Sequence, residues 1–358
     1  MECTQSSAEE RQVFFLLFLH EFVSPKPYSL IPYTLYPIPF TQMKHFLSCD
    51  WGTSSFRLKL VETRTLKTLA EVQNNQGIAS TNLQWQEGAN SQNRFLFYSS
   101  VIASAVTELE KKQNNSFSGV PVILSGMVSS TLGMIQLPYK QLPFKTDGSD
   151  LKVERVKASK DFGHDVFVIS GVCSDTDVMR GEETQIVGAV DPSNKDDGVF
   201  ILPGTHSKHI HVKNNVADSF RTYMTGELFA ILSTNSTLTQ GLVGDGGIDN
   251  GDKESFIQGV KDSVNSNLLN GLFRVRTRFV LDQLPASHNR NYLSGLLIGT
   301  EVKDLKGQRT SITVVSSNIG NIYRTALQTL DINVPLTINS DPDVTLRGQS
   351  IIFANHKG

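Results

Sequence analysis

The sequence has only three cysteines, Cys3, Cys49 and Cys173, and none of their separations matches the short spacings of a zinc site or a disulfide framework. That scarcity argues against a cysteine-stapled secreted domain and suits a reducing, cytoplasmic compartment. Charge of one sign is also lacking: 33 Lys and Arg against 35 Asp and Glu leave a net charge of -2, with no long basic run. A nucleic-acid partner needs a basic footprint and is not expected here. No apolar stretch reaches the roughly 20 residues of a membrane span. The apolar run Val13 to Leu19 stops at His20 and Glu21, and it lacks the basic leader and small-residue cleavage site of a signal peptide. Short-period repeats and low-complexity tracts are absent too.

What is present is ordinary globular composition, 39% hydrophobic and 19% charged over 358 residues. That is long for one domain of about 100–150 residues, so two domains sharing a cleft are expected. Residues 1–42 stand apart, with the apolar run followed by a Pro/Tyr-rich stretch from Pro25 to Phe40. Met43 directly precedes Lys44-His45-Phe46-Leu47-Ser48-Cys49-Asp50, which reads as a first strand. Residues 1–42 are therefore expected to be a disordered extension or a mis-called start. An ordered accessory segment or a membrane-surface anchor is the alternative.

From Phe46 onward, short β-rich runs alternate with helices. Phe46–Cys49, Phe56–Val61 and Thr68–Gln73 read as a three-strand meander. Tyr98, Val101, Ile102, Ala105 and Leu109 recur at helical spacing and predict a helix between Asn93 and Lys112. Val120-Pro121-Val122-Ile123-Leu124 has the continuous apolar character of a strand covered on both faces. Val166–Val172 reads as another buried strand, and Thr176–Val190 as a helix capped near Ser174, Asp175 or Thr176. Then the opening plan recurs: strand Gly198–Leu202, turn Pro203–His206, strand Ser207–Lys213. The polar cluster between Ala189 and Asp197 marks the boundary, giving domains 43–190 and 191–358. Further helices are predicted from Gly226, across Lys253–Gly271 and across Tyr292–Val302. A strand Ile312–Val315 leads into a helix with Tyr323 and Ala326.

The chemistry concentrates in Asp50-Trp51-Gly52-Thr53-Ser54-Ser55-Phe56-Arg57, a strand–turn–strand. Gly52 lets the backbone approach an anion, and Thr53 and Ser54 offer amides and hydroxyls. Asp50, ending the strand, suits Mg²⁺, which keeps most of its water and takes one or two carboxylates. Arg57 reaches a phosphoryl oxygen or caps a sheet edge. An ordinary β-hairpin explains the octet equally well. Gly204 and Thr205 repeat the plan in the second half, so that two Gly-Thr hairpins grip a phosphate tail from opposite walls. His206 is a turn histidine or a base, and Lys208 a phosphate contact or a solvated lysine.

The paired hairpins resemble the two phosphate motifs of the acetate-and-sugar-kinase, chaperone and actin superfold. Asp177–Gln185, Leu202–Lys208, Phe220–Phe229 and Tyr292–Glu301 resemble segments of the 2-dehydro-3-deoxygalactonokinase family, as does Ser125–Val128. The match runs from about Met43 to the last helices. The resemblance implies an α/β fold of two ribonuclease-H-like (actin-like ATPase) domains flanking a nucleotide and substrate cleft. The sugar-acid site would lie in 43–190 and the nucleotide site in 191–358. It implies ATP- and Mg²⁺-dependent phosphorylation of the 6-hydroxyl of 2-dehydro-3-deoxy-D-galactonate in galactonate breakdown. A related sugar acid such as 2-dehydro-3-deoxygluconate, or a non-catalytic nucleotide switch or sugar sensor, is the alternative. The partners are then a small sugar acid and ATP, and a homo-oligomer is compatible with the sequence.

On that reading Asp177 or Glu182 accepts the hydroxyl proton and Arg180 clamps the substrate carboxylate, with Asp177 and Arg180 three apart on one helix face. A solvated, salt-bridged face is the competing reading. Thr225 and Gly226, with Glu227, open a helix and are candidates for nucleotide contact. Ser294-Gly295 and Gly299 read as close-packing positions, with nucleotide approach as the alternative. One departure concerns Val314-Val315, followed by Ser316-Ser317-Asn318 where superfold kinases usually carry glycine beside adenosine. Gly320 and Asn321 are placed to compensate.

Overall fold

Near-continuous burial, on both faces, sets the first two strands. In the computed structural model, which describes residues 43–88, 93–191, 193, 197–242 and 250–356, a meander of β1 (His45–Trp51), β2 (Phe56–Glu62) and β3 (Thr68–Asn74) begins the fold. The expectations for residues 1–42 lie outside the described residues, as does part of the boundary between Ala189 and Asp197. Helices α1 (Ile78–Glu87) and α2 (Arg94–Gln113) follow. Helix α2 buries Tyr98, Ile102, Ala105 and Leu109 of the stripe expected from spacing, with Val101 half-buried and Val106 joining it. Strand β4 (Val122–Gly126) is buried along its whole length.

Short strands come next: β5 (Lys140–Gln141), β6 (Phe144–Lys145), β7 (Val153–Val156), β8 (Val166–Ile169), β9 (Val172–Cys173) and β10 (Val178–Met179), ending at α3 (Glu182–Ala189). The second half holds β11 (Gly198–Leu202), β12 (Ser207–Lys213), β13 (Val216–Tyr223) and α4 (Thr225–Thr234). After them come α5 (Asn250–Asn265), α6 (Leu268–Leu281), α7 (Ala286–Val302), β14 (Ser311–Val315), α8 (Gly320–Thr329), β15 (Leu336–Asn339) and α9 (Val344–Asn355).

Two six-stranded sheets share a five-strand order, with the sixth strand added at opposite ends. The first runs β3-β2-β1-β4-β8-β7 and the second β15-β14-β11-β12-β13-β6. In each, the first strand of the meander is central, antiparallel to its second strand and parallel to the strand after the helices. The third strand and the last parallel strand complete an order 3-2-1-4-5 in both. This is the ribonuclease-H-like plan, built twice, as expected. A small sheet β10-β9-β5 lies apart from these.

The halves exchange pieces. Strand β6 of the first half adds to the edge of the second sheet through Lys145↔Val216 and Phe144↔Ala217. In return α9, at the chain's end, packs on α3 and on β1 and β4. Its Gln349 is buried there: the amide nitrogen donates to the Cys49 carbonyl and the Ser125 hydroxyl, each at 2.8 Å, and its oxygen accepts from Ser48 at 2.6 Å. A Cβ at Gly188 would lie 1.9 Å from the Val344 carbonyl oxygen, and one at Gly348 equally close to that of Thr184. Bare backbone at both positions lets α3 and α9 cross in contact.

Three expectations are corrected. The strand over Val166–Val172 is two strands in different sheets, broken at Ser170-Gly171, where a Cβ on Gly171 would meet the Met179 carbonyl at 2.3 Å. The helix over Lys253–Gly271 is two helices, because the Asn267 side chain accepts from Leu269 N at 2.9 Å and starts a new one. The helix over Thr176–Val190 begins only at Glu182. Before it come a turn at Ser174–Asp177, strand β10 and Gly181 at φ +109°, a conformation outside the helical range. Among the described residues no helix is long and apolar enough to cross a membrane.

Candidate active site

The turn between β1 and β2 is held from beneath. Gly52 N donates to the Ser55 carbonyl at 2.9 Å, and the first amides of α1 grip the loop: Ile78 N to Gly52 O at 2.9 Å, Ala79 N to Thr53 O at 3.1 Å. Trp51 is fully buried and its indole N–H reaches the Gln76 carbonyl at 2.9 Å. Gly77, just before α1, makes this possible, since a Cβ there would lie 2.3 Å from the Thr53 carbonyl oxygen. Thr53, Ser54 and Ser55 are left exposed on the outer side of a rigid turn.

The turn between β11 and β12 is built the same way. Glu227 N, in the first turn of α4, donates to the Thr205 carbonyl at 3.0 Å, and a Cβ on Gly226 would lie 2.4 Å from the Gly204 carbonyl oxygen. Gly204, Thr205 and His206 are exposed. Gly226 thus serves as the counterpart of Gly77, supporting the turn from behind. His206 Nε2 lies 2.6 Å from a Glu227 carboxylate oxygen.

Beneath this second turn Glu301 of α7 is 1% exposed. Its carboxylate accepts from Ser207 Oγ at 2.6 Å, Thr225 Oγ1 at 2.5 Å, Tyr323 OH at 2.9 Å and His209 Nε2 at 2.9 Å. Burial, reinforced by the Glu301 charge, holds the Tyr323 phenol well above its ordinary value.

Asp50, next to last in β1, lies where two glycines bring backbones together. Gly126, at φ +93°, ends the adjacent β4, and a Cβ on it would lie 2.7 Å from Trp51 O and 3.6 Å from Asp50 Oδ1. Gly181, at φ +109°, stacks on Gly126, with only 3.3 Å between its Cβ position and the Gly126 Cα. This stacking delivers the first turn of α3 to the Asp50 carboxyl. Burial pushes that carboxyl up; Arg57 and Lys59 oppose the shift and Glu182 adds to it. Glu182 Oε2 accepts from Arg180 N at 3.0 Å, while Oε1 pairs with Lys208 Nζ at 3.1 Å. Lys208 is only 3% exposed, so the lysine reading as a solvated residue is corrected. The pair joins the start of α3 in the first half to β12 in the second. Glu183, fully buried, accepts from Gly181 N at 2.7 Å, and burial with the neighbouring Glu182 raises its carboxyl to about 8.

Asp177 and Arg180 do not share a helix face, contrary to expectation, because neither lies in a helix. The Asp177 carboxylate accepts from Thr222 N and Thr222 Oγ1, each at 2.7 Å, tying the segment before α3 to β13. The Arg180 guanidinium donates to Ser129 O and Oγ and to Leu137 O, and stacks 3.9 Å from the Tyr139 ring centroid. These donors are occupied in shaping the loops after β4. Arg57 pairs with Glu71 on β3 at 3.2 Å, and since β2 is an inner strand it caps no sheet edge. Gly320 packs on Ile338, and the Ser316 hydroxyl accepts from Asn318 N and Ile319 N, so the segment after β14 is organised by a hydroxyl in place of a glycine. Gly295 and Gly299 pack against α5, as their spacing suggested.

The sequence singles out Asp50, the two turns and Glu182 as candidates; it does not single out Gly77, and it gives no role to Gly181 and Glu301, though they lie inside Asp177–Gln185 and Tyr292–Glu301. Gly77 had a readable signal, a glycine directly ahead of a helix. Glu301 had none, since a lone acidic residue late in an apolar helix has no pattern of its own.

As for metal, the described residues hold no group of three or more His, Cys, Asp or Glu arranged around an ion. A single half-buried carboxylate in a glycine-lined recess fits Mg²⁺, which keeps its waters and takes few protein ligands.

Known proteins identify the family. The profile of the family described as 2-keto-3-deoxy-galactonokinase matches residues 50–351. The 2-dehydro-3-deoxygalactonokinase of Escherichia coli (strain K12) is 30% identical over 302 residues, covering 81% of this chain and 91% of its own. A Rhizobium meliloti (strain 1021) relative assigned the same activity is 27% identical, over 82% of this chain and 92% of its own. A crystal structure from Sinorhizobium meliloti, assigned as a 2-dehydro-3-deoxygalactonokinase, superposes with a TM-score of 0.69 at 25% identity, covering 86% of this chain and 98% of that one. With the duplicated fold and both braced turns in place, the chain belongs to the 2-keto-3-deoxy-galactonokinase family and is a sugar-acid kinase.

Proposed function

We propose that the enzyme transfers the γ-phosphoryl group of ATP, with Mg²⁺, to the 6-hydroxyl of 2-dehydro-3-deoxy-D-galactonate. The observation that carries this reading is the Lys208–Glu182 pair, whose buried lysine lies at the foot of the second turn and whose half-buried carboxylate acts on Asp50. The exposed amides and hydroxyls of Thr53-Ser54 and Gly204-Thr205 bind the phosphate tail from two sides, the first half holding the sugar acid and the second the nucleotide. Asp50 holds the Mg²⁺ side. When bound, the ion neutralises charge on the β- and γ-phosphoryl oxygens.

Lys208 turns from Glu182 to a phosphoryl oxygen as the nucleotide enters, which frees Glu182 Oε1. The 6-hydroxyl oxygen then forms its bond to the γ-phosphorus, the bond from that phosphorus to the ADP oxygen breaks, and the hydroxyl proton passes to Glu182. Asp177, whose oxygens are held by Thr222, positions the segment leading to Glu182. Arg180 shapes the acid-binding wall through Ser129 and Leu137. The location expected is cytoplasmic.

Nuclear magnetic resonance of the product tests the reading: a phosphorus coupled to the C6 protons is expected, and coupling at another carbon would overturn the regiochemistry. Asp50→Ala should lower turnover by about a hundredfold or more, the scale seen when one preorganised electrostatic group is removed.

A further inference from the structure

A carboxylate buried beyond the reach of water is costly, and replacing a buried ionic group by an apolar one of similar size is often neutral for stability. Glu301 is such a carboxylate, and a packing role alone does not call for a charge at its position. Its four donors come from three elements: Ser207 and His209 on β12, Thr225 on α4, Tyr323 on α8. Ser207 and His209 are two apart and project to the same side of their strand. Ser207 directly follows the exposed turn Gly204-Thr205-His206. Thr225 directly precedes Gly226 and Glu227, the two residues that brace that turn from behind. Tyr323 lies in the first turn of α8, after the Ser316–Asn318 segment capped by Ser316. The carboxylate itself sits on α7, which is locked to α5 by close backbone contact at Gly259, Gly295 and Gly299.

We infer that Glu301 is the positioning residue of the nucleotide side of the site: anchored on α7, it fixes the β11–β12 turn, the start of α4 and α8 in one arrangement that presents the turn's amides to a nucleotide phosphate. The inference rests on the functional reading above. Glu301 touches no reacting atom and acts through the groups it holds. Neutralising it removes the charge that strengthens all four hydrogen bonds, and the carboxamide N–H₂ can only donate, so the two groups that face it must give up donating and reverse, which loosens the turn. The sugar-acid wall, built by Arg180, Ser129 and Leu137 in the other half, is untouched.

The test uses the full chain, with ADP as probe in calorimetry and separate KM values for MgATP and the sugar acid. Glu301→Gln should weaken ADP binding and raise the ATP KM by about tenfold or more, the scale of losing a hydrogen bond to a charged group. The sugar-acid KM should stay within about twofold, the effect expected of a change confined to one side of the site. Thr225→Val should show the same selective loss in milder form and Thr225→Ser should restore it. If Glu301→Gln does not fold, Thr225→Val and Tyr323→Phe carry the test. Lower melting temperature with both KM values unchanged, or both raised in parallel, would reduce Glu301 to a structural residue and overturn the inference. Wild type that binds ADP while the variants bind it equally tightly overturns this inference alone; wild type that binds no ADP removes the functional reading as well.

Discussion

Glu183 occupies a position where a charged carboxylate is disfavoured twice, by complete burial and by Glu182 beside it. Its folded value of about 8 lies above the ordinary 4.5, so the folded protein holds a proton that the unfolded chain releases between those values. The stability this group contributes is present in full below the unfolded value and is lost as pH rises through the folded one. Wild type should therefore lose stability between pH 4.5 and about 8 more steeply than Glu183→Gln, whose amide stays neutral throughout. Denaturant unfolding at a series of pH values measures this, and parallel curves for the two proteins would contradict it. At this scale the legible residues were those in turn motifs. Asp50, Thr53, Gly204 and Glu182 carry spacing and turn chemistry in sequence, whereas Glu301 depends on partners up to 94 positions away and the burial of Lys208 on a contact with the other half, which no local pattern encodes.

Each phosphate turn works as a unit with the helix behind it. Helix α1 braces the first through Gly77 and helix α4 the second through Gly226, with backbone approaching backbone at both. Gly77→Ala and Gly226→Ala should each destabilise by about 1–3 kcal/mol, the usual cost of overpacking a rigid contact, and each should displace its own turn. Thermal unfolding with amide exchange at the turns checks this; a substitution tolerated without loss of protection would show that the brace is slack. The strands and α2 were legible because their periodicities are plain. The start of α3 was not: the acidic residues from Asp175 to Glu183 carry helix-start signals along their whole length, and only the positive φ of Gly181 decides where the helix begins.

Over the whole molecule, duplication with exchange defines the architecture. The repeated hairpins made the two halves readable, but β6 joining the second sheet and α9 returning to the first are contacts between distant stretches that a linear reading cannot see. The crossing of α3 and α9 at Gly188 and Gly348, together with the Lys208–Glu182 pair, links the halves around the site. Binding of an ATP analogue with sugar acid is expected to bring them together, since water must be expelled before the γ-phosphate is aligned. Small-angle scattering should show a smaller radius of gyration in the ternary mixture, and an unchanged radius would count against closure. The central claim, that this site phosphorylates one sugar acid, is tested most directly by coupled ADP release from MgATP with the full chain across 2-dehydro-3-deoxy sugar acids and common hexoses. The account predicts rapid release with 2-dehydro-3-deoxy-D-galactonate and background release with hexoses. ADP release that is independent of any acceptor, or faster with another sugar acid, would contradict it.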